Sequence, residues 1–249
     1  MARALILGGT GFIGKHIVKA AQVRRWDIMC TSLSGKSLPG IESFQVDLTS
    51  SPATAEFLRG KQFDYVINCA GYIDHKPFGS EGRELIDQHL NIVMNVAQHL
   101  DRSSLKCFLQ LGSSDEYGNN PAPQQEDMRE ASIAPYSFGK VASTHLLQML
   151  HTTEGFPAVV ARIFLAYGPG QDARRFLPQI IAGCLEGRTF PVSAGEQLRD
   201  FCFISDVVEG VLRCCESPAA SGKVINIASG RPVTIREMMQ RVRDAIGSG

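Results

Sequence analysis

The chain reads as an α/β protein: a doubly wound parallel sheet with helices on both faces, followed by a small C-terminal lobe. Three observations lead there. The apolar run Ala4-Leu5-Ile6-Leu7 passes straight into Gly8-Gly9-Thr10-Gly11-Phe12-Ile13-Gly14, a sharp turn from a buried strand into a helix. Short apolar runs then alternate with helical stretches as far as Phe164, the pattern of a parallel sheet covered on both faces. Beyond Phe164 the alternation stops, and Tyr167-Gly168-Pro169-Gly170 makes a turn into a different region.

In chain order, the apolar runs place strands at Ala4–Leu7, Asp27–Thr31, Ser43–Val46, Tyr65–Cys69, Lys106–Leu111 and Ala158–Phe164. Helices are expected at Lys15–Val23, Ala53–Arg59, Ile86–Leu100, Tyr136–His151 and Arg175–Glu186. Over Arg83–Leu100, the residues Leu85, Ile86, His89, Val93, Val96 and Leu100 fall near one face, so this helix is amphipathic. Tyr72–Phe78 has no clear period and is expected to form a loop over the open end of the sheet. Past the turn, a helix leads through residues 187–192 to a short strand at Phe201–Ile204. Asp206 is expected to cap a helix over Val207–Cys215, and Val224–Ala228 reads as a strand. Thr234 caps the last helix, with Glu237 three residues on completing a capping box.

The glycines at 8, 11 and 14 each answer a separate packing need. The first lets the backbone turn with φ > 0, the second leaves room for a pyrophosphate, and the third lets helix and strand lie close. The free N–H groups of the helix's first turn, with its dipole, then form an anion site. Residues 1–165 are therefore expected to be a dinucleotide-binding, Rossmann-type domain to which 201–228 return. Residues 166–200 and 229–249 are left for the lobe.

Composition sets the outer bounds. The 249 residues are 44% hydrophobic and carry 25 basic and 25 acidic side chains. An ordinary core can form, and zero net charge gives no reason to expect a nucleic-acid or membrane surface. No apolar run approaches the roughly 20 residues needed to span a bilayer. The start Met1-Ala2-Arg3-Ala4 runs directly into a core strand, so no signal peptide is expected. The seven cysteines form no C-x-x-C pair and read as reduced, mostly buried thiols of a cytoplasmic protein. The six histidines show no close pair at metal-ligand spacing, so no metal site is expected.

Tyr136-Ser137-Phe138-Gly139-Lys140 is the second chemical signal. A tyrosine and a lysine four apart share a helix face. A nearby ammonium favours phenolate, so Lys140 is expected to draw the Tyr136 pKa down towards neutrality. Such a phenol suits proton exchange with an alcohol–ketone pair. Leu109-Gln110-Leu111-Gly112-Ser113-Ser114 ends a strand on the side of the glycine loop, where ligands of open α/β sheets sit. A hydroxyl there can hold a substrate oxygen beside Tyr136.

Together these pieces resemble the extended short-chain dehydrogenase/reductase family, the NAD-dependent epimerase/dehydratase group that acts on nucleotide sugars. The resemblance covers about residues 3–240, with the motifs in the family's order. It implies that Gly8, Thr10, Gly11, Phe12, Ile13 and Gly14 form the dinucleotide loop. Asp47 and Leu48 match the pair beside the adenine, and Asn68-Cys69-Ala70-Gly71 the strand end under the nicotinamide ribose. Asn91 matches the family's helix asparagine. By the same likeness Tyr136 is the acid/base, and Lys140 binds the nicotinamide ribose and tunes the phenol. Ser113 keeps the family's spacing to Tyr117 and is assigned to polarise the substrate oxygen, with Ser114 the alternative. Arg162–Gly170 and Arg199–Asp206 resemble stretches of the substrate-binding lobe. Arg199 is expected to meet the nucleotide diphosphate; a structural ion pair with Asp200 or Asp206 is the competing reading. A homodimer through the Arg83–Leu100 and Tyr136–His151 helices is expected by resemblance.

Three departures refine this. An NAD site has an acidic residue after the second strand to bind the adenosine ribose, and here Ser32 stands in its place. A 2′-phosphate meets no carboxylate there and can be held by Ser32, Ser34 and Lys36, so NADP is expected, with NAD the alternative. Leu165 replaces an asparagine that contacts substrate phosphate in many members. The chain stops at Gly249, where many members continue, so the lobe is read as small or truncated. Asp115 falls where a dehydratase places a longer glutamate, and a solvated or capping carboxylate is its other reading. The expected reaction is 4-ketoreduction of a nucleotide sugar, then 4-epimerisation, then 4,6-dehydration. The rival from another class is a non-catalytic NAD(P)-binding sensor or scaffold.

Overall fold

Strand β1 (Arg3–Leu7) buries four successive side chains, and the strand's two-residue period sends Leu5 and Leu7 to one core and Ile6 to the other. The same sorting runs through the rest of the computed structural model, which describes residues 1–188 and 192–247. After β1 come α1 (Phe12–Val23), β2 (Asp27–Ser32), β3 (Glu42–Gln45), α2 (Ser51–Leu58), β4 (Tyr65–Asn68), α3 (Arg83–His99), β5 (Cys107–Ser113), α4 (Pro135–Glu154) and β6 (Ala158–Ile163). The chain then forms β7 (Leu165–Tyr167), α5 (Phe176–Leu185), β8 (Leu198–Arg199), β9 (Phe201–Phe203), α6 (Ile204–Glu216), β10 (Val224–Ile227), β11 (Val233–Thr234) and α7 (Ile235–Ile246).

Seven strands make one sheet in the order β10-β6-β5-β4-β1-β2-β3, every pair parallel. This is the Rossmann-type doubly wound arrangement. Strand order reverses between β1 and β4, so the helices that follow them, α1 and α3, cover opposite faces of the sheet, the point at which such folds bind ligands. On one face, Ile17, Val18 and Ala21 of α1 meet Val207, Val208, Val211 and Leu212 of α6 over Ile6, Leu109 and Val159. On the other, Phe57 and Leu58 of α2, Ile92, Val93 and Val96 of α3, and Leu147 and Leu150 of α4 pack over Leu5, Val66 and Phe108. Helix α4 begins with Pro135 at its first turn and ends on Gly155 in the left-handed region at φ 65, a start and stop set by residue chemistry.

Away from the sheet, Leu177, Phe201 and Val233 form a small core with Tyr167, Phe176, Ile235, Met238 and Val242 around it. Two short pairings support it: β7 with β9, and β8 with β11.

Three local expectations are corrected. Helix α6 starts at Ile204 with Phe203 as its N-cap, so Asp206 lies in the first turn, where its charge still meets the positive end of the helix. The strand before it ends at Phe203 and pairs with β7 outside the main sheet, although its Cys202 packs into the core between the sheet, α1 and α6; α6 lies on the sheet and β10 pairs within it. Helix α1 begins three residues before the expected Lys15, directly on Gly11. Part of the expected 187–192 link falls outside the described residues. Among those described, no helix is long and apolar enough to cross a membrane, and no group of three metal-ligating side chains comes together.

Candidate active site

The glycine loop is built by its own backbone contacts. The N–H groups of Gly8 and Gly9 both donate to the Thr31 carbonyl, at 3.1 and 3.2 Å, which pins the loop to the end of β2. Gly8 has φ +71, and a Cβ there lies 2.8 Å from the Ala70 Cα. A Cβ on Gly14 lies 2.4 Å from the Gly8 carbonyl oxygen. These two glycines are demanded by the protein's own packing. Gly11 is different: its Cβ meets one atom, the Gly8 oxygen at 3.3 Å, and it caps α1 with no side chain closing the helix end. The N–H groups of Phe12 and Ile13 in that first turn are left for an anion. A dinucleotide pyrophosphate fits this cradle, whose one unfilled glycine lies where a phosphate needs room.

At the end of β2, Ser32 is buried, and its hydroxyl accepts from Thr10 Oγ1 at 3.2 Å and shares a bond of 3.2 Å with Ser34 Oγ. Lys36 is exposed in the following loop. Among the described residues, no carboxylate joins this chain of hydroxyls. Asp47 folds back on Thr49, accepting from its N–H at 3.0 Å and its hydroxyl at 2.6 Å. Leu48 is buried in the core and offers the site only its backbone, whose carbonyl accepts from Asn95 at 2.9 Å. Asn91 is half-buried on α3.

The ends of β4 and β5 are locked by amides: Asn68 Nδ2 donates to Gln110 Oε1 at 2.7 Å, and Asn68 Oδ1 accepts from Ala70 N–H. Cys69, Ala70 and Gly71 follow directly, with Gly71 against the His89 ring. Burial pushes the Cys69 thiol up to about 12.

Ser113 ends β5, and Tyr136 and Lys140 lie one turn apart on α4; all three are buried. Lys140 Nζ donates to the Leu111 carbonyl at 2.8 Å and lies 5.9 Å from the centre of the Tyr136 ring. Burial lowers its pKa to about 8, opposed by the Glu116 charge and by Cys69. Burial also pushes the Tyr136 phenol well above its usual value; the Ser113 side chain opposes this, while the charges of Asp115 and Glu116 add to it. The expected pull of Lys140 on this phenol is therefore corrected. The ammonium is directed at Leu111, and desolvation governs the tyrosine. Ser114 and Asp115 sit half-buried in the turn after Ser113, and Asp115 N–H donates to Ser113 Oγ at 3.1 Å.

Leu165 is 37% exposed, and its N–H donates to the Asp200 carbonyl at 3.1 Å. Arg199 is exposed and donates to the Leu198 carbonyl at 2.8 Å, forming no ion pair among the described residues. Asp200, its expected competitor, instead accepts from the N–H groups of Ser229 and Gly230, at 2.7 and 2.8 Å.

Sequence reasoning missed four residues. His89 packs edge-on to Tyr136 with ring centres 5.1 Å apart, and burial lowers it to about 3, so it is a neutral wall. His75, from the loop after β4, presents its ring edge to Tyr136 at 6.3 Å. Arg175, at the N-cap of α5, is close enough for its charge to favour phenolate at Tyr136. Glu116 is buried beneath Ser113. For His89 the signal was its place on the apolar face of α3; for Arg175 there was none.

Comparison with known proteins places the fold in a family. A model of the NAD dependent epimerase/dehydratase family matches residues 4–228. Similar curated proteins include dTDP-glucose 4,6-dehydratase 1 of Escherichia coli (strain K12), 25% identical over 239 residues that cover 82% of this chain and 66% of that protein. Another is dTDP-glucose 4,6-dehydratase of Xanthomonas campestris pv. campestris (strain B100), 26% identical over 268 residues, 97% of this chain and 75% of that protein. The chain thus spans about two thirds of the length of the Escherichia coli relative. Among solved structures, UDP-glucose 4-epimerase of Thermotoga maritima with UDP-glucose superposes with a TM-score of 0.87 at 20% identity, over 99% of this chain and 83% of that one. RMD of Pseudomonas aeruginosa, complexed with NADPH, superposes at 0.81 with 25% identity, over 99% of this chain and 85% of that one. The chain belongs to the NAD-dependent epimerase/dehydratase family.

Proposed function

We propose that this chain is an NAD(P)-dependent oxidoreductase acting at C4 of a nucleotide-activated sugar, and that its reaction is the reduction of a 4-keto group with NADPH. One observation carries the reading: Ser113, Tyr136 and Lys140 converge, buried, at the carboxyl ends of the strands beside the glycine cradle. The dinucleotide, when bound, supplies the hydride. Tyr136 Oη gives its proton to the carbonyl oxygen that becomes the hydroxyl, and Ser113 Oγ polarises that oxygen from the other side. Lys140, held on the Leu111 carbonyl, keeps two N–H groups for the nicotinamide ribose and the phenol. His89 and the loop over it exclude water from the phenol.

Burial pushes the Tyr136 phenol up, which favours the protonated form that a reductase uses at the start of its turnover. Thr10, Ser32, Ser34 and Lys36 offer donors and no carboxylate to a 2′-phosphate, which favours NADP over NAD. On the substrate side, Ser114, Asp115, Leu165 and Arg199 are the contact residues of this reading, and Arg175 adds a cation.

A second reading, 4-epimerase or 4,6-dehydratase, is favoured by the names of several relatives. Dehydration needs a carboxylate to remove the C5 proton, and Asp115 is the candidate. We also propose a cytoplasmic homodimer, supported by seven free thiols and by the exposure of Met94 on α3 and of Phe138 and Met149 on α4. Light scattering at twice the 27.1 kDa chain mass supports the dimer, and a monomer refutes it. Incubating the protein with a panel of nucleotide sugars and their 4-keto forms, with NADPH or NADH, tests the reaction. Loss of 340 nm absorbance with a reduced sugar supports reductase. A C4 epimer or a dehydrated sugar without net loss of absorbance overturns it.

A further inference from the structure

Ser113, Tyr136 and Lys140 are backed by one buried carboxylate. Glu116 lies in the turn Ser114–Tyr117 and has no exposed surface. Its Oε1 accepts the Ser113 N–H at 2.8 Å, and its Oε2 accepts Thr144 Oγ1 at 2.9 Å and Arg162 Nε at 2.9 Å. Thr144 follows Tyr136 and Lys140 at steps of four on α4, so the three side chains share a face. A single carboxylate therefore ties the strand end that carries the hydroxyl to the helix face that carries the phenol and the ammonium.

Arg162, fully buried in β6, steadies that carboxylate from behind. It also pairs with Glu130 and lies over the Tyr117 ring at 4.6 Å, while Tyr117 Oη donates to Asn226 at 2.8 Å. Buried ion pairs of this kind add little stability over apolar side chains of similar volume, because two charges must be stripped of water. A structural role alone does not account for placing one directly under the reacting groups.

We infer that Glu116 is the positioning residue of this site: it holds Ser113 against the Tyr136–Lys140 face of α4 and supplies the counter-charge of the buried Lys140 ammonium. The inference rests on the oxidoreductase reading above. The groups that act on Lys140 single Glu116 out. From the segment just after β4 comes the Cys69 thiol, from α3 the His89 ring and from α4 itself the Tyr136 phenol, and burial favours the neutral form of all three. Arg162 is a cation behind Glu116. Asp115 and Glu116 both act on Tyr136, and Glu116 is the carboxylate that raises Lys140.

Two substitutions separate the two duties. Glu116→Gln keeps the reach and removes the charge; Glu116→Asp keeps the charge and shortens the reach by one methylene. The Lys140 titration is read by NMR in protein carrying 13Cε-lysine, its signal assigned by loss in Lys140→Arg. In E116Q it moves down by about one pH unit, and the alkaline limb of kcat moves with it. In E116D the titration stays and kcat falls about tenfold with KM unchanged. Should E116Q fail to fold, Thr144→Val serves instead: it cuts the tie to α4, leaves Lys140 titrating as in the wild type and lowers kcat several-fold. A wild-type Lys140 titration in E116Q, or a wild-type kcat in E116D or T144V, overturns the inference. Failure of the oxidoreductase reading shows separately, as a wild-type protein without turnover whose E116Q variant still shifts the NMR titration.

Discussion

Adding a methyl group at Gly11 and at Gly14 separates the needs of the fold from those of the ligand. At Gly14 the new Cβ stands 2.4 Å from the Gly8 oxygen and 2.9 Å from the Gly9 Cα, both backbone atoms that no rotamer change can move. Helix α1 must then back away from the loop, and overpacking of this kind costs about 1–3 kcal/mol or more. At Gly11 the backbone already has φ −70, open to any residue, and the one close atom is 3.3 Å away. Alanine is a poorer N-cap than glycine, by up to about 1 kcal/mol, but it stiffens the unfolded chain by a similar amount. The net change for Gly11→Ala is therefore within about 0.5 kcal/mol of zero. The same methyl nevertheless fills the space assigned to the pyrophosphate, so NADPH affinity is expected to drop at least about tenfold, or 1.4 kcal/mol. Urea denaturation followed by the single tryptophan, Trp26, which stacks on Tyr65 at 4.5 Å, reads stability. Calorimetric titration reads the cofactor. If Gly11→Ala binds NADPH as tightly as the wild type, the cradle is misplaced; if Gly14→Ala is as stable as the wild type, the packing account of the loop is wrong.

Two further outcomes follow from the same geometry. Ser32→Asp puts a carboxylate among the Thr10 and Ser34 hydroxyls, and the ratio of NADPH to NADH affinity is expected to fall at least about tenfold; an unchanged ratio places the 2′-phosphate elsewhere. Lys140 has its pKa lowered from 10.5 to about 8 by burial, so between those values the unfolded chain binds more protons than the folded one. The Lys140 contribution to stability therefore rises with pH across that window and is at its least favourable below pH 8. Lys140→Met removes this rise, and wild-type and variant stability curves that run parallel from pH 8 to 10.5 contradict the assignment.

The parts of this molecule that were legible in its sequence are those whose physics is local. A strand running into glycines, a tyrosine and lysine one helical turn apart, and Thr234 with Glu237 all act within a few residues, and each signal points one way. The sheet followed from runs such as Ala4–Leu7, whose burial leaves little choice of partner. The unread parts depend on distant partners. Arg162 interrupts the apolar run of β6, and in sequence its charge is indistinguishable from one that reaches solvent; burial is tolerable only because Glu116 and Glu130 arrive from another segment. Phe201–Phe203 was legible as a strand, but its partner was not, because β7 is a three-residue stretch with no signal of its own. Tyr136 and Lys140 do share a helix face, but the effect of the lysine was not deducible, since it depends on the Leu111 carbonyl that accepts its hydrogen bond.

The central claim is that Tyr136 Oη delivers the proton in a reaction driven by bound NADPH. Its most direct test is single-turnover reduction of a 4-keto nucleotide sugar by wild type and Tyr136→Phe, followed at 340 nm, with NADPH affinity measured on both proteins. The phenylalanine keeps the ring against His89 and removes only the hydroxyl. The account predicts a loss of about 100-fold or more in rate with NADPH affinity unchanged. A variant that reduces the sugar at the wild-type rate contradicts it.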